Sequence, residues 1–231
     1  MSLLSVCIPT YEMGGLGHVF LKQSLDKLSI QTFKDFEVVV SDHSKNTLIK
    51  DLCSNYKDTL NIKYIKNTLD LGSSSANINN AIKNANGKLI KILFQDDFLA
   101  SEKSLDEICA NFDLNKDHWL VTACIRSKDG INLYDPFYPK YNRFLYLGKN
   151  TIGPPSVMTI KNDRPLLFNS KLIWLMDCDY YKRYYDLFGK PKLINNINIV
   201  NRIGPHQISN TIINVTSKIK ETIYMFKKYN L

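Results

Sequence analysis

Two adjacent carboxylates close an apolar segment of the chain. The run from Lys88 to Phe94 is strand-like, and Gln95, Asp96 and Asp97 follow it directly. Adjacent carboxylates repel each other and lose hydration when they are buried, so a buried pair needs a compensating partner. Water is that partner in a solvated turn, whereas a divalent cation or a set of hydrogen-bond donors indicates a binding site.

Another carboxylate follows a second strand-like run. Phe36 to Val40 is apolar, and Ser41 and Asp42 come directly after it. If both runs belong to one parallel sheet, their carboxyl ends meet at one edge, where α/β proteins bind ligands. The alternative for Asp42 and for Asp96 is a helix cap or a turn.

Composition limits the classes of protein that fit. The chain has 231 residues, 44% of them hydrophobic, which is enough for one substantial core, and we expect a single domain over 1–231. The five cysteines show no C-x-x-C spacing, which indicates reduced thiols without a disulfide framework or a zinc site. No apolar run reaches transmembrane length, and no basic leader precedes the first strand, so we expect a cytoplasmic protein.

The formal charge of +8 leaves several partners open. Nucleic acid, a membrane surface or a phosphorylated ligand would each suit a basic protein, and a coding bias toward lysine and asparagine explains the charge equally well.

Strands and helices alternate through the first half of the chain. Hydrophobic spacing predicts strands at 3–8, 36–40, 62–65, 89–94 and 119–124, and helices ending at 30 and covering 48–56, 77–86 and 101–112. Gly87 is expected to cap the third helix and Ser101 the fourth. This alternation predicts an α/β fold with a doubly wound, mostly parallel sheet.

The second half is less regular. Residues 127–155 are rich in Tyr, Pro, Asn and Gly, which is typical of a functional or mobile loop. Residues 216–231 predict a basic amphipathic helix, with apolar residues near helical spacing and Lys218, Lys220, Lys227 and Lys228 between them. We therefore divide the domain into 1–100, 101–215 and this helix.

Five pieces of sequence resemble, in order and spacing, the family 2 glycosyltransferases with the GT-A fold. They are the opening Ser5 to Tyr11, the segment Gln31 to Asp42, Gly72 with Asn77 and Ala81, the segment Ala85 to Ile90, and Gln95 to Asp97. Each piece is common by itself, but all five in this order are typical of the family. The resemblance implies a Rossmann-like half that binds a nucleotide-sugar and an acceptor-side second half.

The resemblance assigns roles at the strand ends. Gln95-Asp96-Asp97 matches the family's D-x-D element, with Asp97 as ligand of Mn²⁺ or Mg²⁺ and Asp96 near the ribose. Gln95 departs from the pattern by removing one charge. The other nucleotide-binding residues implied are Pro9, Thr10, Tyr11, Glu12, Asp42, which would contact the base, and Asn77.

Catalysis is implied in the second half. Asp177, six residues before Arg183, matches the family's Glu-Asp…Arg segment, whose aspartate is the base, although Met176 replaces the Glu. Asp179 is the competing base, and either aspartate could instead cap a helix. Asp179, Arg183 and Ser156, the last in the loop 151–158, would lie on the acceptor side, with a position on the helix surface as the alternative for Arg183.

Among the four histidines, His206 is implied as a further ligand of the metal or diphosphate, with an exposed loop residue as the alternative. His18, His43 and His118 are expected at the surface.

The resulting hypothesis is an inverting, metal-dependent glycosyltransferase that uses a nucleotide-sugar, with UDP-sugars favoured, and a glycan or lipid-linked acceptor. Nucleic acid is not expected as a partner. The basic helix could give peripheral contact with the inner face of a membrane, or it could pack its apolar face on the domain as a structural helix. A non-catalytic nucleotide- or polyanion-binding module is the alternative, because Gln95 and Met176 replace acidic residues. A dinucleotide-binding oxidoreductase is disfavoured, since no G-x-G-x-x-G turn follows the first strand.

Overall fold

The first hundred residues build the parallel part of a twisted sheet. In the computed structural model, which describes residues 2–207 and 214–230, strands β1 (Leu4–Thr10), β2 (Phe36–Asp42), β3 (Ile62–Lys66) and β4 (Leu89–Ile92) lie in the order β3-β2-β1-β4. All three pairings are parallel. β1 and β2 are buried along their whole lengths, as their continuous apolar sequence predicts.

Helices connect these strands and cover the sheet. They are α1 (Gly17–Ser29), α2 (Leu48–Ser54) and α3 (Ser74–Lys83), and α4 (Ser104–Asn111) follows the short strand β5 (Phe98–Leu99). The side chain of Ser73 caps α3 by accepting a hydrogen bond from the backbone N–H of Ala76. The alternation predicted from the sequence is therefore confirmed in this half.

The second half extends the same sheet with mixed pairings. Strand β6 (Trp119–Ser127) pairs antiparallel with β7 (Leu133–Phe137) and β8 (Met158–Lys161), and parallel with β9 (Lys192–Arg202). β8 also joins β4, so the two halves share one sheet. Helix α5 (Met176–Phe188) precedes β9, and α6 (Val215–Asn230) is the last helix.

Three sequence predictions need correction here. The segment 127–155, predicted as a loop, contains the strand β7. Ser101 does not cap α4, because that helix begins at Ser104. The hydroxyl of Ser101 instead accepts a hydrogen bond from the N–H of Lys103. Gly87 does not cap α3, which ends at Lys83.

Gly87 has a packing role. A Cβ at this position would lie 2.6 Å from the backbone nitrogen of Ser5, so only glycine lets the chain pass this close to β1. The basic C-terminal helix is confirmed as α6, although Leu231 lies outside the described residues.

Candidate active site

A cleft of about 410 Å³ opens at the carboxyl ends of the parallel strands. Its lining combines the ends of β1, β2 and β4, the start of α3, the loop before β8, the start of α5 and the end of β9. Of the residues predicted for the site, it includes Pro9, Tyr11, Glu12, Asn77, Asp96, Asp97 and Asp177. The topology therefore brings residues more than 160 positions apart into one cavity.

Gln95 joins the ends of β1 and β4. Its Oε1 accepts a hydrogen bond from the N–H of Tyr11 at 2.7 Å, and its Nε2 donates one to the carbonyl of Tyr11 at 3.0 Å. A carboxylate could accept the first bond but could not donate the second. An amide at this position therefore has a structural reason, and its lack of charge does not argue against a binding site.

Asp42 lies below the cleft and is fully buried. Its carboxylate accepts hydrogen bonds from Tyr64 Oη at 2.7 Å and from the N–H of Ser44 at 2.9 Å, and Lys66 Nζ approaches to 3.8 Å. Thr10, also outside the lining, donates its hydroxyl to the same carboxylate at 3.2 Å. Contact of Asp42 or Thr10 with a base stays a prediction.

Asn77 ties α3 to the strand ends while it faces the cleft. Its Nδ2 donates to the carbonyl of Thr10 at 2.9 Å, and its Oδ1 accepts from Ser41 Oγ at 2.7 Å. These bonds fix the start of α3 against β1 and β2.

Asp97 is held from two sides at the end of the β4 segment. Its Oδ1 accepts hydrogen bonds from Asn201 Nδ2 at 2.9 Å and from the N–H of Arg202 at 3.0 Å. Burial, followed by the charge of Asp96, raises the pKa of Asp97 to about 7. Asp96 and Asp97 therefore form an acidic centre in which the two carboxylates repel each other, and a bound cation would stabilise their negative charge.

His206 lies beside Asp96 but outside the lining of the cleft. Its Nε2 lies 3.4 Å from Oδ2 of Asp96, and its ring packs against Phe20 with centroids 4.8 Å apart. The same nitrogen is buried and has no hydrogen-bond partner.

A divalent cation fits this chemistry in part. Carboxylate and imidazole are suitable ligands for Mn²⁺, and Mg²⁺ is commonly held by one or two carboxylates together with substrate phosphates. Within residues 2–207 and 214–230, no group of three or more His, Cys, Asp or Glu side chains forms a complete metal cage. A cation at Asp96, Asp97 and His206 would thus need oxygen atoms from a phosphorylated ligand.

Ser156 supports the acidic centre from beneath instead of lining the cleft. It is fully buried, its hydroxyl accepts a hydrogen bond from the N–H of Phe94 at 3.0 Å, and it also bonds to Asp97. Its carbonyl accepts a hydrogen bond from the buried ammonium of Lys91. The sequence predicted that Ser156 would face the sugar. Its hydroxyl is instead buried and bonds to the N–H of Phe94 and to Asp97.

Asp177 lies at the first turn of α5 and faces the cleft. Its Oδ2 accepts a hydrogen bond from Asn150 Nδ2 at 2.6 Å, and its Oδ1 accepts one from the N–H of Cys178 at 2.7 Å. Burial raises the pKa of this carboxyl to about 6. A carboxylate with such a pKa is suited to act as a general base near neutral pH.

Asp179 and Arg183 lie outside the lining of the cleft. Asp179 is fully buried and bonds to Arg183 Nε at 2.8 Å, to Tyr229 Oη at 2.7 Å and to Lys228 Nζ. The guanidinium of Arg183 also donates to the carbonyl of Leu167 at 2.7 Å. Because its lone pairs are already used, Asp179 is a poorer candidate base than Asp177.

The family follows from comparison with known proteins. Residues 5–184 match the model of the family described as Glycosyl transferase family 2. The chain belongs to this family. The matched region contains every residue predicted for the site except His206.

Curated relatives of this family 2 chain are also glycosyltransferases. An uncharacterized glycosyltransferase of Methanocaldococcus jannaschii is 29% identical over 78% of the chain and 64% of its own length. A GalNAc(5)-diNAcBac-PP-undecaprenol β-1,3-glucosyltransferase of Campylobacter jejuni is 33% identical over 44% of the chain and 32% of its own length. The chain thus spans less than two thirds of these relatives.

Solved structures show the same GT-A fold. The structure of S. aureus TarS 1–349 in complex with UDP-GlcNAc aligns with 100% of this family 2 chain and with 68% of the TarS chain. The TM-score is 0.75 and the sequence identity is 19%. A mannosyltransferase of Pyrobaculum calidifontis, in complex with GDP-Man and Mn²⁺, aligns with 88% of this chain and 57% of its own at a TM-score of 0.62 and 16% identity.

Several residues that line the cleft were missed from the sequence. His43 was expected at the surface, but it is only 8% exposed, and its Nε2 has no hydrogen-bond partner. Burial lowers its pKa, so the imidazole is neutral at neutral pH. Its position after Asp42 at a strand end was an available signal. Lys45, Trp174, Asn201 and Gln207 are further examples, which no motif marks.

Proposed function

We propose that this chain is an inverting glycosyltransferase that moves a sugar from a nucleotide-sugar to a hydroxyl group. The observation that carries the proposal is that Asp177 and the pair Asp96–Asp97 line one cleft in a member of a glycosyltransferase family. One carboxylate can accept a proton at the acceptor side, while the acidic pair serves the diphosphate side.

The proposed reaction is a single displacement at the anomeric carbon. Asp177 takes the proton of the acceptor hydroxyl, and the acceptor oxygen forms a bond to that carbon. The bond from the carbon to the phosphate oxygen breaks, and the nucleoside diphosphate leaves with the electron pair. Attack from the face opposite the leaving group inverts the configuration.

In this proposal Asp97 and His206 would hold a divalent cation, Mn²⁺ or Mg²⁺. Asp96, which the resemblance places near the ribose, lies beside His206 and would be a further ligand. When bound, the cation neutralises negative charge on the diphosphate. The P. calidifontis mannosyltransferase, whose complex contains Mn²⁺ with GDP-Man, supports the use of a divalent cation. Lys45, at the rim, adds positive charge on the nucleotide side.

A UDP-sugar is the proposed donor and a glycan or lipid-linked hydroxyl the proposed acceptor. The TarS complex with UDP-GlcNAc supports the donor. Two relatives support a role in polysaccharide biosynthesis. They are the GalNAc(5)-diNAcBac-PP-undecaprenol β-1,3-glucosyltransferase of Campylobacter jejuni and a poly(ribitol-phosphate) β-glucosyltransferase of Bacillus spizizenii.

Contact with the cytoplasmic face of an anionic membrane is part of the proposal. Helix α6 exposes an apolar stripe, and the lysines at 220 and 227 are exposed on the same helix. The stripe consists of Val215, Ile219, Ile223 and Phe226. Among the described residues, no helix is long and apolar enough to cross a membrane.

Isothermal titration with UDP, with and without Mn²⁺, followed by a screen of sugar nucleotides for hydrolysis, tests the proposal. We expect Mn²⁺ to tighten UDP binding and at least one donor to be turned over. Binding without any turnover would favour the alternative of a non-catalytic nucleotide-binding module.

A further inference from the structure

The start of α5 has no cap from its own sequence. Leu175 is the N-cap residue, and its side chain makes no capping hydrogen bond. The first backbone N–H groups of a helix lack partners within the helix, so they need acceptors from elsewhere.

Glu221, on α6, accepts from one of these groups, the N–H of Leu175, and from the N–H groups of the two residues before it. Its Oε1 accepts a hydrogen bond from the N–H of Ile173 at 3.0 Å, and its Oε2 accepts from the N–H groups of Trp174 and Leu175 at 3.0 and 2.8 Å. One carboxylate therefore binds three consecutive amides. Charged acceptors make stronger hydrogen bonds than neutral ones, and negative charge is favoured at a helix N-terminus.

The segment held in this way is a wall of the cleft. Ile173, Trp174, Met176 and Asp177 all contribute to the lining. The ammonium of Lys218, one turn before Glu221 on α6, lies 5.5 Å from the centre of the Trp174 ring.

The C-terminal end of α6 is attached to α5 at Asp179. Lys228 and Tyr229 bond to the buried carboxylate of Asp179. Asp177 thus lies between two attachment points of α6, at 173–175 and at Asp179.

We propose that Glu221 is a positioning residue that fixes the 173–177 wall and thereby the carboxylate of Asp177. This inference rests on the proposed transfer reaction for its kinetic consequence, but the attachment itself can be measured without any substrate. Glu221 does not touch the reacting atoms; it acts through the three amides.

Hydrogen exchange tests the attachment. In Glu221→Ala, the amides of 173–175 should exchange about 10- to 100-fold faster, the factor that corresponds to losing hydrogen bonds to a charged group. Thr216→Ala, at an exposed position on the same helix, is the matched control and should leave their exchange unchanged. Glu221→Gln keeps the side-chain length and one acceptor oxygen, so it should give an intermediate rate and remain folded if the alanine variant does not.

Kinetics test the positioning role. UDP affinity should be unchanged in Glu221→Gln, because the donor side is built from other elements, whereas kcat should fall for hydrolysis of the sugar nucleotide that the donor screen selects. Unchanged exchange at 173–175 in both Glu221 variants would overturn the proposal. Faster exchange with unchanged kcat would overturn the positioning role and leave only a structural bond. If the wild-type chain turns over no donor, the proposed function fails, while the exchange experiment still decides whether Glu221 holds the wall.

Discussion

At the scale of single residues, the acidic centre and the base differ in how they are held. Asp97 is buried and bonded through Asn201, Arg202 and Ser156, so its position is fixed before any ligand binds. Asp177 is partly exposed, accepts hydrogen bonds from Asn150 and from the N–H of Cys178, and faces the cleft. This contrast suits a fixed ligand site and a base that exchanges protons.

Replacing Asp97 by Ala should remove the effect of Mn²⁺ on UDP binding. A charge-assisted contact contributes about 1.5–3 kcal/mol, so the loss corresponds to roughly 10- to 100-fold in affinity when Mn²⁺ is present. Titration calorimetry measures it, and Asp163→Ala, on an exposed side chain, is the control. If Mn²⁺ still tightens UDP binding by the wild-type factor, Asp97 is not a ligand.

The pH dependence of transfer should reflect Asp177. Its pKa is raised to about 6, and a base acts only when deprotonated, so the rate should be half-maximal near pH 6, approach its plateau at higher pH and fall at lower pH. The hydrogen bond from Asn150 lowers this pKa, so Asn150→Ala should move the acidic limb to higher pH. A limb at the same pH in both proteins would argue against Asp177 as the base.

At the scale of elements, α5 and α6 form a unit behind the cleft. Asp179 is buried between them, with Arg183 on its own helix and Lys228 and Tyr229 on the other. The arrangement predicts a structural role for Asp179, in contrast to the catalytic role proposed for Asp177.

Asp179→Asn should therefore lower stability and, unlike Asp177→Asn, should retain transfer by the molecules that remain folded. Because Arg183 and Lys228 are partly exposed and can regain water, we expect a loss of about 1–3 kcal/mol in the free energy of unfolding. Urea unfolding measures it. Asp186→Asn, which breaks an exposed pair with Lys182, should cost less than about 1 kcal/mol, and equal losses in the two variants would contradict this account.

The sequence predicts the elements of the first half well because β1, β2 and β4 are apolar runs between amphipathic helices. It does not predict β9, whose segment Lys192 to Arg202 contains four asparagines, a residue disfavoured in strands. Partners in the sheet, β6 and β5, override that preference.

The same reasoning explains which site residues could be predicted. Asp96 and Asp97 follow a strand, so the sheet directs them to its ligand-binding edge. Ser156 and Asp179 lie in a loop and a helix, where the direction of a side chain depends on packing against distant elements such as Phe94 and Tyr229. Glu221 carries no motif, since its partners are backbone amides about 46 residues away.

At the scale of the whole molecule, the exposed stripe of α6 predicts weak binding to a membrane surface. Each basic residue near an anionic leaflet contributes about 1 kcal/mol, which gives salt-sensitive adsorption and not stable anchoring.

Co-sedimentation with anionic vesicles measures this adsorption. The double variant Ile219→Ser, Phe226→Ser should bind less than wild type, and Leu69→Ser, at an exposed position on the nucleotide side, should bind as wild type does. Binding that is equal in all three proteins, or indifferent to ionic strength, would contradict a membrane-facing helix.

The central claim is that one cleft binds a nucleotide-sugar and transfers its sugar with Asp177 as base. The most direct measurement is nucleoside diphosphate release from a panel of sugar nucleotides with Mn²⁺, for wild type and for Asp177→Asn, with UDP affinity measured for both. We predict release by wild type, a loss of about 10²–10⁴-fold in the variant, and equal UDP affinity. Release at the same rate by both proteins, or no release by a wild-type chain that binds UDP, would contradict the claim.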